Sequence, residues 1–285
     1  MKLDDLLFNF LISFICKERL FMAIPKIIHQ IYLQGEANIP DNIKQSIAEL
    51  RQRNLDWEYH LYDETIMVDY ISRHYDVEML TIYQSIQKEY PAARSDFFRY
   101  LLMYKEGGVY LDLKSSCSKP FNEILTDQDE LVICGWENEQ GQKYQGYGIN
   151  KHLKHLKHGE YQQWNIICKP NSPFLKAVID QVIYRIKHYT PMKYHVGRKG
   201  VLNTTGPVPY SLAIESVIQQ NKYPYRYERF ASQFGLIYIN TDTSVVNKNH
   251  YSLQITPVIQ LNHFDYFLYL LWLYILHPKK VFAKK

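Results

Sequence analysis

From Ser95 to Tyr104 the apolar side chains Phe97, Phe98, Leu101, Leu102 and Tyr104 recur at helical spacing, and Asp96 and Arg99, three residues apart, share a polar stripe. Gly107-Gly108 then stops the helix, because glycine accepts the left-handed C-cap conformation. Val109-Tyr110-Leu111 is β-branched and aromatic and predicts a short buried strand that delivers Asp112 at its carboxyl end. Upstream, Ile27 to Leu33 reads as a first core strand entered through Pro25. A helix follows from Asp41, its expected N-cap, to about Arg53. Trp57 to Tyr62 alternates as a second strand, and Glu64 to Ser72 and Val77 to Glu89 have helical patterns. Downstream, Leu131 to Trp136 and Trp164 to Cys168 read as strands, and Phe174 to Tyr189 and Tyr210 to Gln220 as helices. Strand followed by helix, repeated, predicts an α/β fold with a mainly parallel, doubly wound sheet.

Three stretches break that rhythm. Glu137 to Tyr161 turns polar and reads as a long excursion, compatible with an acceptor-binding flap. Its His152, His155 and His158 lie three apart, but interleaved lysines favour a solvated segment over a metal site. At the amino end, Leu6, Leu7, Phe10, Leu11, Phe14 and Ile15 fall on one stripe, so residues 1–22 are expected to form an amphipathic helix. Asp4 and Asp5, with no small-residue cleavage site after them, argue against a secretory signal. At the carboxyl end, residues 263–285 join an aromatic run, Phe264 to Leu276, to Lys279, Lys280, Lys284 and Lys285. The run is shorter than the roughly 20 residues of a membrane span. It suits a helix lying on an anionic membrane surface, or one packed on the domain.

Composition narrows the picture little. A net charge of +4 is too mild for a nucleic-acid-binding protein. Cys16, Cys117, Cys134 and Cys168 have no paired spacing, which reads as reduced thiols in a cytoplasmic setting, with attachment to the inner face of a membrane as an added expectation. Tyrosine, at 25 residues, is abundant; its apolar body and polar tip suit sugar faces, and base composition of the genome explains it equally.

The chemistry is concentrated around Asp112. Ligands in open α/β sheets gather beyond the carboxyl ends of strands, and a carboxylate there can take a divalent cation that carries a diphosphate. Ser95-Asp96-x-x-Arg99-Tyr100 followed by Gly107-Gly108-x-Tyr110-x-Asp112 resembles the donor-site signature of retaining glycosyltransferases with a DXD sugar-binding region. These family 32-like enzymes include the initiating α-1,6-mannosyltransferases of yeast, α-1,4-Gal/GlcNAc transferases and capsular polysaccharide enzymes. Ile24 to Tyr32, Gln163-Trp164-Asn165 and Thr205-Gly206-Pro207 resemble further motifs of that family, so the likeness covers roughly residues 24 to 260.

The resemblance implies a GT-A type, Rossmann-like nucleotide-sugar-binding domain with helical additions over residues 23–262. It implies transfer of a hexose from a nucleoside diphosphate sugar to a saccharide or glycolipid acceptor, with Mn2+ or Mg2+. Asp96, Arg99 and Asp112 are its expected catalytic residues. Donor binding would add Tyr32, on the base, with Tyr110, Lys114, Thr205 and Gly206; Trp164 and Asn165 would bound the acceptor. Asp112 would ligate the metal, with His250 closing the shell. The family's second acid is replaced, in Asp112-Leu113-Lys114, by a lysine. Residues i and i+2 of a strand point to the same side, so Lys114 lies where that second acid should be. It then either pairs with Asp112 and takes over part of the metal's charge, or marks a non-catalytic nucleotide-sugar-binding module. A toxin-like enzyme acting on a protein hydroxyl is a third reading.

Overall fold

The structure, a computed structural model, describes residues 24–239 and 251–276. The expected helix over 1–22, Cys16, His250 and the four terminal lysines lie outside the described residues.

In chain order the strands are β1 (Ile27–Ile31), β2 (Glu58–Tyr62), β3 (Gly108–Leu111), β4 (Ser116–Cys117), β5 (Leu131–Cys134), β6 (Asn165–Cys168), β7 (Arg226–Glu228) and β8 (Leu236–Ile237). The α-helices are α1 (Asp41–Arg53), α2 (Glu64–His74), α3 (Val77–Gln84), α4 (Pro91–Glu106), α5 (Phe121–Ile124), α6 (Pro173–Lys187), α7 (Pro191–Tyr194), α8 (Gly197–Thr204), α9 (Pro207–Ile218), α10 (Ala231–Phe234) and α11 (His263–Leu276). Six strands form one sheet in the order β2-β1-β3-β6-β5-β7, and β4 pairs with β8 beside it. The sheet is parallel except at β6, which runs antiparallel to β3 and to β5. The expected strand at Trp164 to Cys168 is therefore present, but it comes back against the direction of its neighbours.

Alternation along the strands splits the core in two. Tyr110, Leu131, Ile133, Ile166 and Cys168 face one layer, packed with α4, α6 and α9. Val109, Leu111, Val132, Cys134 and Ile167 face the other, with Leu50, Trp57 and Phe121. A strand buried on both faces has to be apolar at every position, which is why β3, β5 and β6 read as unbroken apolar runs.

Several local expectations shift. Pro40, not Asp41, occupies the N-cap of α1, and the side-chain caps fall instead on Asp63 and Asp76, ahead of α2 and α3. The segment expected to be helical to Glu89 stops at Gln84, and Ile86 makes a β-bridge to Ile259. Helix α8, absent from the sequence reading, precedes Thr205, and α9 begins at Pro207. The largest difference is in α4. Every residue from Ala93 to Met103 is buried, so its polar stripe lies inside the protein and needs partners there.

Candidate active site

The turn from α4 into β3 determines where Asp112 arrives. Gly107 caps α4 at φ 66°, and Gly108 opens β3 at φ 91°. A side chain on Gly108 would stand 2.5 Å from the Ile27 carbonyl oxygen, so only glycine lets β3 lie this close to β1. Asp112 follows β3, where its backbone N–H donates to the Trp164 carbonyl at 2.8 Å. Its own carbonyl accepts from Ser115 N–H at 2.8 Å, closing a turn.

Arg99, buried in α4, is the hub of the site. Its guanidinium lies 3.2 Å from Asp96 Oδ1 and 2.9 Å from Asp112 Oδ1, and it donates to the Gln163 carbonyl at 3.0 Å. It also stacks over the Tyr110 ring at 4.7 Å, while the Tyr110 hydroxyl donates to Asp112 Oδ1 at 2.8 Å. Asp96 keeps only 5% of its side chain exposed and is held by two donors: Thr205 Oγ1 donates to its Oδ2 at 3.0 Å and Gln163 Nε2 to its Oδ1 at 3.3 Å. Asp112, by contrast, keeps 36% of its side chain exposed. Burial pushes the Asp96 carboxyl up to about 6, against the opposing charge of Arg99. Burial works against the Arg99 charge as well, yet Asp112, Tyr110 and Asp96 outweigh it and hold the guanidinium protonated beyond its ordinary range.

Asp96, Arg99 and Asp112 all line one open cleft of about 550 Å3. Trp136, Trp164, Tyr147, Tyr238 and Tyr251 supply its aromatic lining. The structure thus brings the three central residues together, with Tyr110 and Thr205 supporting them. Gln163, Glu160 and Arg198 also border the cleft and were missed as site residues. Gln163 stood in a recognised motif, but neither Glu160 nor Arg198 carries a local signal.

Other expected residues lie elsewhere. Lys114 is exposed and makes no ion pair with Asp112, because β3 ends at Leu111 and the turn breaks the strand alternation that would align them. Asn165 is buried, donating to Gln162 Oε1 at 3.0 Å, and does not border the cleft. Gly206 makes its close approach to its own chain: a Cβ there would meet Leu202 Cα at 2.9 Å, so its small size serves the α8–α9 junction. Tyr32 follows β1 half-buried beside Ile39 and Ile43, with its hydroxyl donating to the Asn38 carbonyl at 3.1 Å, outside this cleft. Arg94, on the same helix as Arg99, is buried against Glu64, donates to the Ile86 carbonyl at 2.8 Å and covers the Tyr83 ring at 4.5 Å. The histidine run is largely exposed and anchored by Leu153 and Leu156.

For a divalent cation, the fit rests on Asp112. Both of its contacts fall on Oδ1, and no group of three or more His, Cys, Asp or Glu that could cage a metal occurs among the described residues. One exposed carboxylate suits Mg2+ or Mn2+ that draws its remaining ligands from substrate phosphates and water.

The mixed sheet with helices packed on both faces is the α/β fold of GT-A type glycosyltransferase domains, and here a carboxylate and a buried arginine border an open cleft at the end of its central strand. The fold is shared with the UDP-bound glycosyltransferase domain of the YGT toxin, at a TM-score of 0.50 and 10% identity, over 75% of this chain and 81% of that one. Residues 40–131 match the family described as "Glycosyltransferase sugar-binding region containing DXD motif". Over 103 residues the chain is 36% identical to inositol phosphoceramide mannosyltransferase 3 of Schizosaccharomyces pombe, covering 36% of this chain and 28% of that protein. Over 102 residues it is 30% identical to a glycosyltransferase of Acanthamoeba polyphaga mimivirus, covering 36% of this chain and 40% of that protein. The match thus spans well under half the length of these relatives.

Proposed function

We propose that this protein is a retaining glycosyltransferase that moves a hexose from a nucleoside diphosphate sugar to a hydroxyl of a saccharide or glycolipid. The observation that carries the reading is the shared cleft: one buried arginine grips two carboxylates, one mostly buried and one more exposed, at the carboxyl end of a central strand.

In this reading Asp96, held by Thr205 and Gln163, accepts hydrogen bonds from the donor sugar's hydroxyls, since a carboxylate can receive two at once. Arg99 sets a permanent positive charge beside the diphosphate and stabilises it as the bond to the anomeric carbon breaks. Tyr110 keeps Asp112 and Arg99 aligned through its hydroxyl and its ring. Asp112 would hold Mg2+ or Mn2+, which would add charge neutralisation at the leaving group. The acceptor hydroxyl attacks on the face that the diphosphate leaves, and its proton passes to the departing phosphate oxygen. A fluorinated donor should accordingly trap no glycosyl-enzyme.

The mannosyltransferase relative makes a lipid-linked acceptor the first to try. The exposed aromatic face of α11, followed in the sequence by lysines, supports work at a membrane surface. The test is a hydrolysis and transfer panel over UDP-Glc, UDP-Gal, UDP-GlcNAc and GDP-Man, with calorimetry on UDP and GDP in the presence and absence of Mn2+. One donor should be turned over, and Asp112→Ala should abolish turnover. Nucleotide binding without hydrolysis or transfer would instead favour a non-catalytic binding module.

A further inference from the structure

The cleft that holds the carboxylates is also lined by residues that the donor-site chemistry does not use. They form a wall from Gln145 to Asn150 and Glu160, within the polar excursion. The excursion is tied down rather than free: Asn138 Nδ2 donates to the carbonyls of Tyr147 at 2.8 Å and His158 at 3.0 Å, and Glu160 N–H donates to the Gly148 carbonyl at 2.9 Å. Gly148, at φ 71°, passes so close to this wall that a Cβ would stand 2.5 Å from Trp136 Cδ1 and 2.9 Å from Glu160 Cγ. The Glu160 side chain is thereby fixed beside Trp136.

Glu160 is half-buried and, among the described residues, forms no ion pair. Arg198, which also lines the cleft, is close enough for its charge to be felt, but it does not bridge to Glu160. Burial raises the Glu160 carboxyl to about 7, above its ordinary value, against a hydrogen bond with the Trp136 side chain and the Arg198 charge. A half-dry carboxylate with one indole partner and no ion pair keeps lone pairs that a polar ligand can satisfy. Two features of the same cleft indicate what that is. The Trp164 indole N–H is buried there without a hydrogen-bond partner, a donor waiting for an oxygen. Tyr147, 51% exposed, presents an aromatic face of the kind that packs on the C–H face of a sugar ring.

We propose that this wall is the acceptor subsite, where Glu160 accepts a hydrogen bond from a hydroxyl of the acceptor saccharide and Tyr147 packs against its ring. The proposal rests on the donor reading above and adds the location and the recognising groups of the second substrate. A hydroxyl-rich ring answers each feature: it donates to Glu160, its oxygens accept from the indole, and its apolar face covers the tyrosine.

The test compares wild type with Glu160→Gln and Tyr147→Ala, using the methyl α-glycosides of glucose, galactose and mannose as acceptor probes at saturating donor. Calorimetry on UDP and GDP and donor hydrolysis without acceptor serve as controls. Both variants should leave nucleotide affinity and hydrolysis within about twofold of wild type, while the acceptor KM rises about tenfold. Nucleotide affinity or hydrolysis falling together with transfer in Glu160→Gln would overturn the assignment and give Glu160 to the donor or the fold. An unchanged acceptor KM in both variants, or no transfer to any probe by a wild type that hydrolyses donor, would also overturn it while leaving the donor site standing. A wild type that binds no nucleotide would defeat the donor reading itself.

Discussion

Arg99 shows how much one side chain decides here. A guanidinium with only 7% of its side chain exposed is tolerated because two carboxylates, a carbonyl and an aromatic ring surround it. Removing Arg99 would leave two carboxylates, one of them buried, without their countercharge. His29 is the contrasting case, a buried histidine kept neutral. One ring nitrogen donates to the Gly107 carbonyl at 3.0 Å and the other accepts from the Tyr62 hydroxyl at 3.0 Å, so the uncharged ring is fully satisfied. Burial pushes its pKa down to about 3, from an ordinary 6.5. Below pH 6.5 the unfolded chain gains a proton that the folded chain refuses, so stability is lost as pH falls towards 3. Urea unfolding at pH 7 and pH 5 should show wild type losing about 2 kcal/mol more than His29→Gln over that interval. Equal losses in the two proteins would sink this account.

At the scale of elements, the α4–β3 turn is the joint on which the site depends. The Gly-Gly pair was readable as a helix stop, but its second role, admitting β3 against β1, appears only when the Ile27 carbonyl is seen beneath it. Gly108→Ala should cost more than about 1 kcal/mol in urea unfolding, through both a positive φ and the collision with that carbonyl. An unchanged midpoint would mean that the turn relaxes freely. Helix α11 poses a different problem. It docks through Tyr269 and Leu273, yet leaves Phe264, Phe267, Leu271, Tyr274 and Ile275 exposed. Among the described residues no helix is long and apolar enough to cross a membrane. An apolar stripe beside a run of lysines in the sequence matches an anionic lipid surface. Co-sedimentation with vesicles containing phosphatidylserine should be seen for the wild type and lost in Phe267→Glu/Leu271→Glu. Equal binding of both proteins, or aggregation relieved by that double variant in the absence of lipid, would instead point to another occupant.

For the whole molecule, the α/β class and nearly every core strand were legible, because strands buried on both sides must be apolar along their length and helices must repeat at their own period. That Asp96, Arg99 and Asp112 would come together in one cleft was legible too, since Ser95-Asp96-x-x-Arg99 and Tyr110-x-Asp112 resemble a donor-site signature. Other assignments required three dimensions. Lys114 was misplaced because alternation holds only while a strand lasts, and β3 ends one residue before Asp112. Gly206 and Asn165 meet near neighbours, Leu202 and Gln162, and neither borders the cleft. Glu160 and Arg198 reach the cleft from separate segments that have no periodic or spaced relation to Asp112. Local sequence determined the identity of the elements and the residues carried by the α4–β3 unit, because backbone propensity and side-chain period act over a few positions. Tertiary packing alone decided that the polar stripe of α4 would be buried, that β6 would run antiparallel, and that residues 145–150 and 160 would line the same cleft as the carboxylates. Burial, charge pairing and the shape of a cleft are properties of groups brought together across the chain.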